Sequence, residues 1–427
     1  MNVAVIGGGY AGLAAAVTLA DAGIPLTVYE AGRELGGRAR RVVINGVALD
    51  NGLHILIGAY RETLRLVRAV HPNASDALTR LPLDWQVYRR FHLKAPPLPA
   101  PLHLAVALLT ARGASWGERI AAVRFVRAMR AQHFHLPQDI SVSALLTAHG
   151  QGPVFVRYFW EPLCLAALNT PPAIASAQVF LNVLRDGAVA HRSAGDMLLS
   201  REDLTALFPE PAANYIRNRG GQIALGRMVE AIAPSAERVV IRTKHSAETY
   251  THVICAVSAP RAAPLLAGLP DFADTLAALE RFQYQPIYSI YLQFAQTVHL
   301  PAPMLGMSGV AQWVFDREMI CGQRGLLAAV ISGRGMHQGM TQEELARKVH
   351  DEITDAFGAL PPLVWHRVIA EKRATFESVV GLERPSTRTP LRNVHLAGDY
   401  TASDYPATLE AAVRSGIAAA KQILDQR

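Results

Sequence analysis

A chain of 427 residues is too long for one hydrophobic core, so two or three interlocked domains are expected. Half of the residues are hydrophobic and 18% are charged, which excludes a disordered chain, and no apolar run reaches the roughly 18 residues of a membrane-spanning helix. The net charge of +7 is local: between Trp85 and His135 eight Lys or Arg face one acid, Glu118, a surplus of seven, and no nucleic-acid partner is expected. The first thirty residues then read as a βαβ start. VAVI (Val3 to Ile6) is a short apolar strand, GGGYAG gives Gly7-x-Gly9-x-x-Gly12, an alanine-rich helix closes at Gly23, and LTVY leads to Glu30. Gly7 permits a tight turn, Gly9 lets backbone approach a pyrophosphate, and Gly12 lets helix pack on strand. Ala11 opens the helix, whose free N–H groups suit that pyrophosphate, and Tyr10 before it is a further candidate for cofactor binding. Glu30, 18 residues past Gly12, is placed to bind an adenosine ribose. No signal peptide is read at this terminus.

Next come AGRELGGRARR, with Gly36, Gly37 and Arg38, and DNGLHILIGAYRETLRL from Asp50 to Leu66. Prolines 96, 97, 99 and 101 hold an extended approach to the apolar run Leu102 to Ala111. Ser115 and Glu118 have capping-box spacing, so a helix starts there, with Ala122, Phe125, Val126 and Met129 on one side and Arg119, Arg124, Arg127 and Arg130 opposite. Residues 96–130 therefore read as an interfacial helix pair, a candidate membrane door, the alternative being a buried helix with a solvated basic flank. The stretch from Tyr158 to Asp186 follows, and RGGQIALGRMVEAI, VVIRT and HVICAVSAP read as turn, helix, strand and strand. Gly333-x-Gly335-x-x-x-Gly339 mimics a second nucleotide loop. Thr341 and Glu344 cap a fresh helix after it, so it reads as a plain strand-to-helix turn. Late in the chain come Glu371-Lys372-Arg373, the strand Val394 to Leu396, Ala397-Gly398-Asp399, and a helix from about Thr408. Cys164, Cys255 and Cys321 are far apart, so neither a disulfide framework nor a metal site is expected, and a reducing cytoplasm fits.

Glu30 followed by Gly36-Gly37-Arg38, together with the terminal Gly398-Asp399 and helix, resembles the signature of the flavin amine oxidase and phytoene desaturase superfamily. The resemblance implies FAD as cofactor and an α/β fold: a Rossmann-like FAD-binding domain from residues 1–75, 205–265 and 380–427. An α+β substrate domain from 76–204 and 266–379 would carry a helical membrane-facing part. It implies that Gly36, Gly37 and Arg38 approach the phosphates and flavin, that Val229 clamps the adenine, and that the strand through Ala256 runs to the flavin. Gly398 and Asp399 would bind the pyrophosphate or ribitol. Thr408 and Leu409 would open the final helix at the flavin N1/O2 edge, where a helix dipole stabilises negative charge. Ala407 replaces the family's usual glycine.

DNGLHILIGAY, the PLCLAALNTP–ASA block and EKRATFE further resemble the hydroxysqualene dehydroxylase family, over almost the whole chain. That implies reductive loss of the hydroxyl of a C30 isoprenoid alcohol through an allylic cation, with an acid assisting departure of water. His54, Tyr60, Glu161 and Glu371 are the candidate acids, and Tyr158, Phe159 and Trp160 could line a tunnel or cushion the cation. A peripheral position on the anionic inner face of the cell membrane and association with squalene-pathway prenyl synthases are further expectations, with the oligomeric state open. The alternatives are a carotenoid-type desaturase and a non-catalytic prenyl-lipid escort on the same fold.

Overall fold

The computed structural model describes residues 1–426 apart from Ala236. β1 (Val3–Ile6), α1 (Tyr10–Asp21) and β2 (Leu26–Tyr29) form the βαβ unit. All four residues of β1 are buried, as a central parallel strand covered on both faces requires. β1 lies between β2 and the strand His252–Cys255, both parallel to it, with Val3 opposite Leu26 and His252. Gln222–Ala224 extends the sheet beside β2, and Val394–Leu396 extends it beside His252–Cys255. Three distant stretches thus build one five-stranded sheet.

Alternation along β1 sends its side chains to two cores. Val3 and Val5 face α1 and the C-terminal helix Leu409–Leu424. Ala4 and Ile6 face a three-stranded antiparallel layer and the helices Ala259–Leu266 and Ala273–Glu280. Phe272, Leu279 and Phe282 belong to that second core, so packing on the sheet continues past residue 265.

One expected element is overturned. The sequence pattern predicts a helix within RGGQIALGRMVEAI, but the chain forms the edge strand Gln222–Ala224, a turn, and the strand Val229–Ser235. Gly220 and Gly226 sit at φ +83° and +64°, left-handed conformations that break a helix on either side of five residues. The free edge of β2 then captures the short segment between them.

The other half centres on a seven-stranded sheet in the order Leu363–Phe376, Tyr284–Phe294, Leu326–Ser332, Trp313–Asp316, Met304–Gly306, Asp84–Val87, Phe91–Lys94. Against it pack helices between residues 102 and 184, around Phe125, Phe155, Trp160 and Phe180. The Gly333 loop joins a strand to the helix Gln342–Phe357, which Thr341 and Glu344 cap reciprocally. It takes part in no parallel βαβ unit. Burial pushes the Cys164 and Cys255 thiols up to about 12, so both stay protonated and unreactive.

Candidate functional site

At the C-terminal end of β1 the chain turns through Gly7, where a Cβ would lie 2.6 Å from the Ala256 carbonyl oxygen. A Cβ on Gly12 would run into the Gly7 carbonyl, so Gly12 sets how closely α1 approaches the strand, and no larger residue fits. The first intrahelical bond of α1 runs from Leu13 N–H to Gly9 O (2.9 Å), which leaves the Tyr10, Ala11 and Gly12 N–H groups without acceptors in the chain among the described residues. Tyr10 and Ala11 line a cavity, and these unsatisfied donors on a twelve-residue helix are what a pyrophosphate would accept from. The Tyr10 ring itself points inward, its hydroxyl donating to Leu204 O at 3.0 Å.

Glu30 ends β2 at the same crevice. Its carboxylate accepts from Gly8 N–H (2.7 Å) and Gly32 N–H (2.6 Å), which fixes it at the cavity wall with lone pairs to spare for a ribose hydroxyl. Gly36 pairs with Gly9 as an isolated parallel bridge. Beyond it Arg38 donates through Nη2 to Asp399 Oδ1 and through Nη1 to Ala374 O, each at 2.6 Å. One guanidinium therefore ties the second glycine loop to the Gly398-Asp399 turn, 361 residues away, and to the strand Leu363–Phe376. Val229, Ala256, Gly398, Asp399, Thr408 and Leu409 share the same wall. Thr408 caps the C-terminal helix by accepting from Ala411 N–H (3.1 Å), so the amide of Leu409 is presented at the helix N-terminus. The residues present therefore fit a flavin dinucleotide: two helix N-termini, an acid at the end of the second strand and a glycine cradle converge on one crevice.

The crevice is one end of a cavity of about 1240 Å³. Pockets for one drug-sized ligand measure about 300–1,000 Å³, so there is room for more than a cofactor. The other end is apolar and aromatic, lined by Trp85, Leu104, Val126, Phe134, Phe159, Trp160, Trp313 and Phe315. Trp85 meets Phe159 and Trp313 edge to face at 5.5 and 4.7 Å, and its Nε1–H donates to Tyr158 O (2.9 Å). Tyr158 takes part through that carbonyl; its ring carries Arg157 and does not line the cavity, contrary to expectation.

The four candidate acids part company here. Glu161 is not on the cavity wall: it is half-buried beside Arg157 where the chain resumes an α-helix after a π-helical turn, and burial raises its carboxyl. Glu371 lines the crevice near Arg38 and accepts from Arg373 N–H at 3.2 Å. His54 lines it too. A carbonyl can only accept, so the 2.7 Å contact of Nδ1 with Gly52 O puts the proton on Nδ1 and leaves Nε2 an acceptor. Burial, with a smaller contribution from Arg38, holds the imidazole below its ordinary range, so it stays neutral. His54 is thus built to accept a hydrogen bond, not to give the proton expected of it. Burial and the Glu410 carboxylate hold the Tyr60 phenol above its usual range, so it keeps its proton.

Two features escaped the sequence reading. Asp186 and Tyr405 line the cavity where crevice and aromatic lobe meet, joined by a 2.9 Å hydrogen bond from the Tyr405 hydroxyl to Asp186 Oδ2. Arg384 is half-buried behind them and donates to Asp399 O (2.6 Å) and Tyr405 O (2.7 Å), fixing the loop before the last helix. The only local signal for Arg384 is an arginine before Pro385, and nothing near Asp186 announces its partner.

A family described as flavin containing amine oxidoreductase matches residues 10–424. The chain is 30% identical to a protein of Rhodopseudomonas palustris named hydroxysqualene dehydroxylase, over 99% of this chain and 98% of that one. It is 26% identical to a protein of Synechococcus elongatus named 15-cis-phytoene desaturase, over 99% of this chain and 96% of that one. Among solved structures, cyclohexylamine oxidase from Brevibacterium oxydans superposes with a TM-score of 0.72 at 17% identity, covering all of this chain and 99% of the other, a likeness of fold alone.

Proposed function

The chain belongs to the flavin-containing amine oxidoreductase family and is a flavin-dependent oxidoreductase; from that premise we propose that it binds FAD and removes the hydroxyl of hydroxysqualene to give squalene. The observation that carries this reading is the single cavity in which a dinucleotide crevice opens onto an aromatic, apolar lobe large enough for a long hydrocarbon. The full-length similarity to hydroxysqualene dehydroxylases supports the choice of substrate. Reduced FAD, when bound, supplies hydride. The protein must hold the allylic alcohol against that hydride, help its oxygen leave and keep water out. Neutral His54 can orient the hydroxyl by accepting its hydrogen through Nε2. Tyr60 keeps its proton and can give a hydrogen bond to the departing oxygen, whereas the Tyr405 hydroxyl is committed to Asp186. The aromatic faces of Phe159, Trp160 and Trp313 shield the carbon that becomes positive.

The similarity to a phytoene desaturase keeps one second reading in view, the same cavity run in the oxidising direction. Photoreduced, FAD-loaded protein incubated with hydroxysqualene without oxygen is expected to yield squalene by gas chromatography. Aerobic dehydrogenation of a polyene with no squalene formed would select the desaturase instead.

The substrate lives in a bilayer, and the lobe lies under the helices Leu102–Leu109 and Trp116–Ala131. No helix among the described residues is long and apolar enough to cross a membrane. Leu98, Leu102, Trp116 and Ile120 are nevertheless exposed, at 37%, 55%, 66% and 40%, on the stretch that carries the basic surplus. Arg112, Arg124, Arg127 and Arg130 are exposed beside them, while Arg119 folds back over Trp116 and donates to Ala114 O. A leaflet would bury those apolar side chains, and each arginine near anionic headgroups adds about 1 kcal/mol. The protein is expected to float with anionic liposomes and to lose most of that binding when Arg112, Arg124, Arg127 and Arg130 are changed to Glu; equal flotation of both proteins rejects the membrane door.

A further inference from the structure

We propose that Asp186 is the fixed counter-charge for the carbon that turns positive when the hydroxyl departs, a role that rests on the reaction proposed above. Its carboxylate sits in the π-helical turn Arg185–Val189, on the wall between the apolar lobe and Tyr405, three residues before the cap of the C-terminal helix. Short π-helical turns are uncommon and frequently mark functional positions. Arg185 Nε donates to Oδ1 at 2.8 Å and Nη2 to Oδ2 at 3.1 Å, and the Tyr405 hydroxyl donates to Oδ2 at 2.9 Å. These partners outweigh burial and keep the carboxyl below its ordinary range, so it is ionised at neutral pH.

The charges around it lie off the cavity wall, which Asp186 alone of the cluster lines. Arg185 also faces Asp404 at 3.8 Å, and Arg414 lies over the Tyr405 ring at 4.8 Å while pairing with Glu410 at 2.7 Å. Arg384, bonded to the Tyr405 carbonyl and electrostatically coupled to Asp404, completes three guanidiniums against the three carboxylates Asp186, Asp404 and Glu410, so the cluster is balanced as a whole. Of the three, Asp186 is the carboxylate on the cavity wall. An apolar lobe screens charge poorly, which makes a single fixed carboxylate effective on a nearby cation.

Asp186 makes no bond and gives no proton in this scheme. The carbon–oxygen bond breaks and its electron pair leaves with the oxygen, to which Tyr60 gives a hydrogen bond. Bound reduced flavin would supply hydride to the allylic carbon and, on oxidation, the proton that completes water, so that carbon would be reduced, the flavin oxidised and no residue left deprotonated. Hydride loss from a polyene would create the same positive carbon, so the proposal applies in either direction of reaction.

The test uses the oxidised, FAD-loaded protein and two ligands: a C30 polyene with a protonated tertiary amine at the position of the reacting carbon, and its uncharged hydrocarbon isostere. Binding is read from perturbation of the flavin absorbance and by calorimetry, in detergent. The wild type is expected to prefer the cation at least tenfold, Asp186→Asn to lose the preference while binding the hydrocarbon as before, and Asp186→Glu to recover part of it. Absence of a preference in the wild type, or its persistence in Asp186→Asn, overturns the proposal. Even if the variants fail to fold, absence of a preference in the wild type overturns the proposal. A clear preference in a protein that makes no squalene would leave the counter-charge standing and refute the proposed reaction instead.

Discussion

Gly416→Ala is expected to yield a folded protein that has lost its flavin. A Cβ at Gly416 would run into the carbonyl oxygen of Ala11, because the C-terminal helix lies directly on the backbone of α1. The contact surface is made of small residues on both sides: Ala14, Ala15 and Ala16 from one helix, Gly416, Ala419 and Ala420 from the other, all buried. Forcing a methyl into it costs about 1–3 kcal/mol. Alanine is the better helix former by about 1 kcal/mol, which offsets part of that cost. The net loss is then small against the stability of a domain, and the helices separate instead of unfolding. Their N-termini carry the unsatisfied amides of Tyr10 and Ala11 and the exposed amide end at Leu409, so the separation falls on the cofactor cradle. Flavin retained through purification should fall at least tenfold, with an unchanged far-ultraviolet circular dichroism spectrum. Gly117→Ala is the control: a Cβ there meets nothing within 4 Å, so flavin content should not change. Wild-type flavin content in Gly416→Ala would show that the helix contact does not shape the cradle.

What the sequence revealed of this cradle was local. Gly12 answers to the Gly7 carbonyl five residues before it, Glu30 to the end of the strand that carries it, and Ser115 and Thr341 to glutamates three residues on. Each such feature is dictated by neighbours in the chain, so spacing alone exposes it. Closures between distant residues leave no spacing to read. The partners of Arg38 are 336 and 361 residues downstream, and Tyr405 reaches back 219 residues to Asp186. The segment Gln222–Ala224 failed for a related reason: its pattern suits a short helix as well as a strand, and the open edge of β2 decided between them. Trp85 and Trp313 were invisible as tunnel residues because an aromatic facing a cavity and one facing a packed core occupy the same positions on a strand.

The longest of those closures makes the second large prediction. Replacing Arg38 with Ala removes the guanidinium that holds Asp399 and the Ala374 carbonyl together, and leaves the Asp399 side chain, 9% exposed, without its cation. Breaking a buried pair on one side costs about 3–5 kcal/mol. The Arg38 side chain is 34% exposed to the cavity, so solvent there screens part of the loss and the low end, about 3 kcal/mol, is expected. Arg384 keeps the backbone of Asp399 in place through the 2.6 Å bond to its carbonyl, so the freed carboxylate cannot swing out to water without breaking that loop. The variant should therefore be less stable in urea and should also lose flavin, because an unpaired carboxylate then stands in the anion-binding crevice. Arg38→Lys keeps the charge but lacks the planar fork that reaches both partners, and should recover less than half of the stability. Arg38→Ala/Asp399→Asn removes the stranded charge and should be more stable than Arg38→Ala alone, although it lacks one more native side chain. If the double variant is instead the less stable of the two, the guanidinium was not acting as the partner of Asp399, and the joining of the N-terminal and C-terminal halves of the crevice must be sought elsewhere.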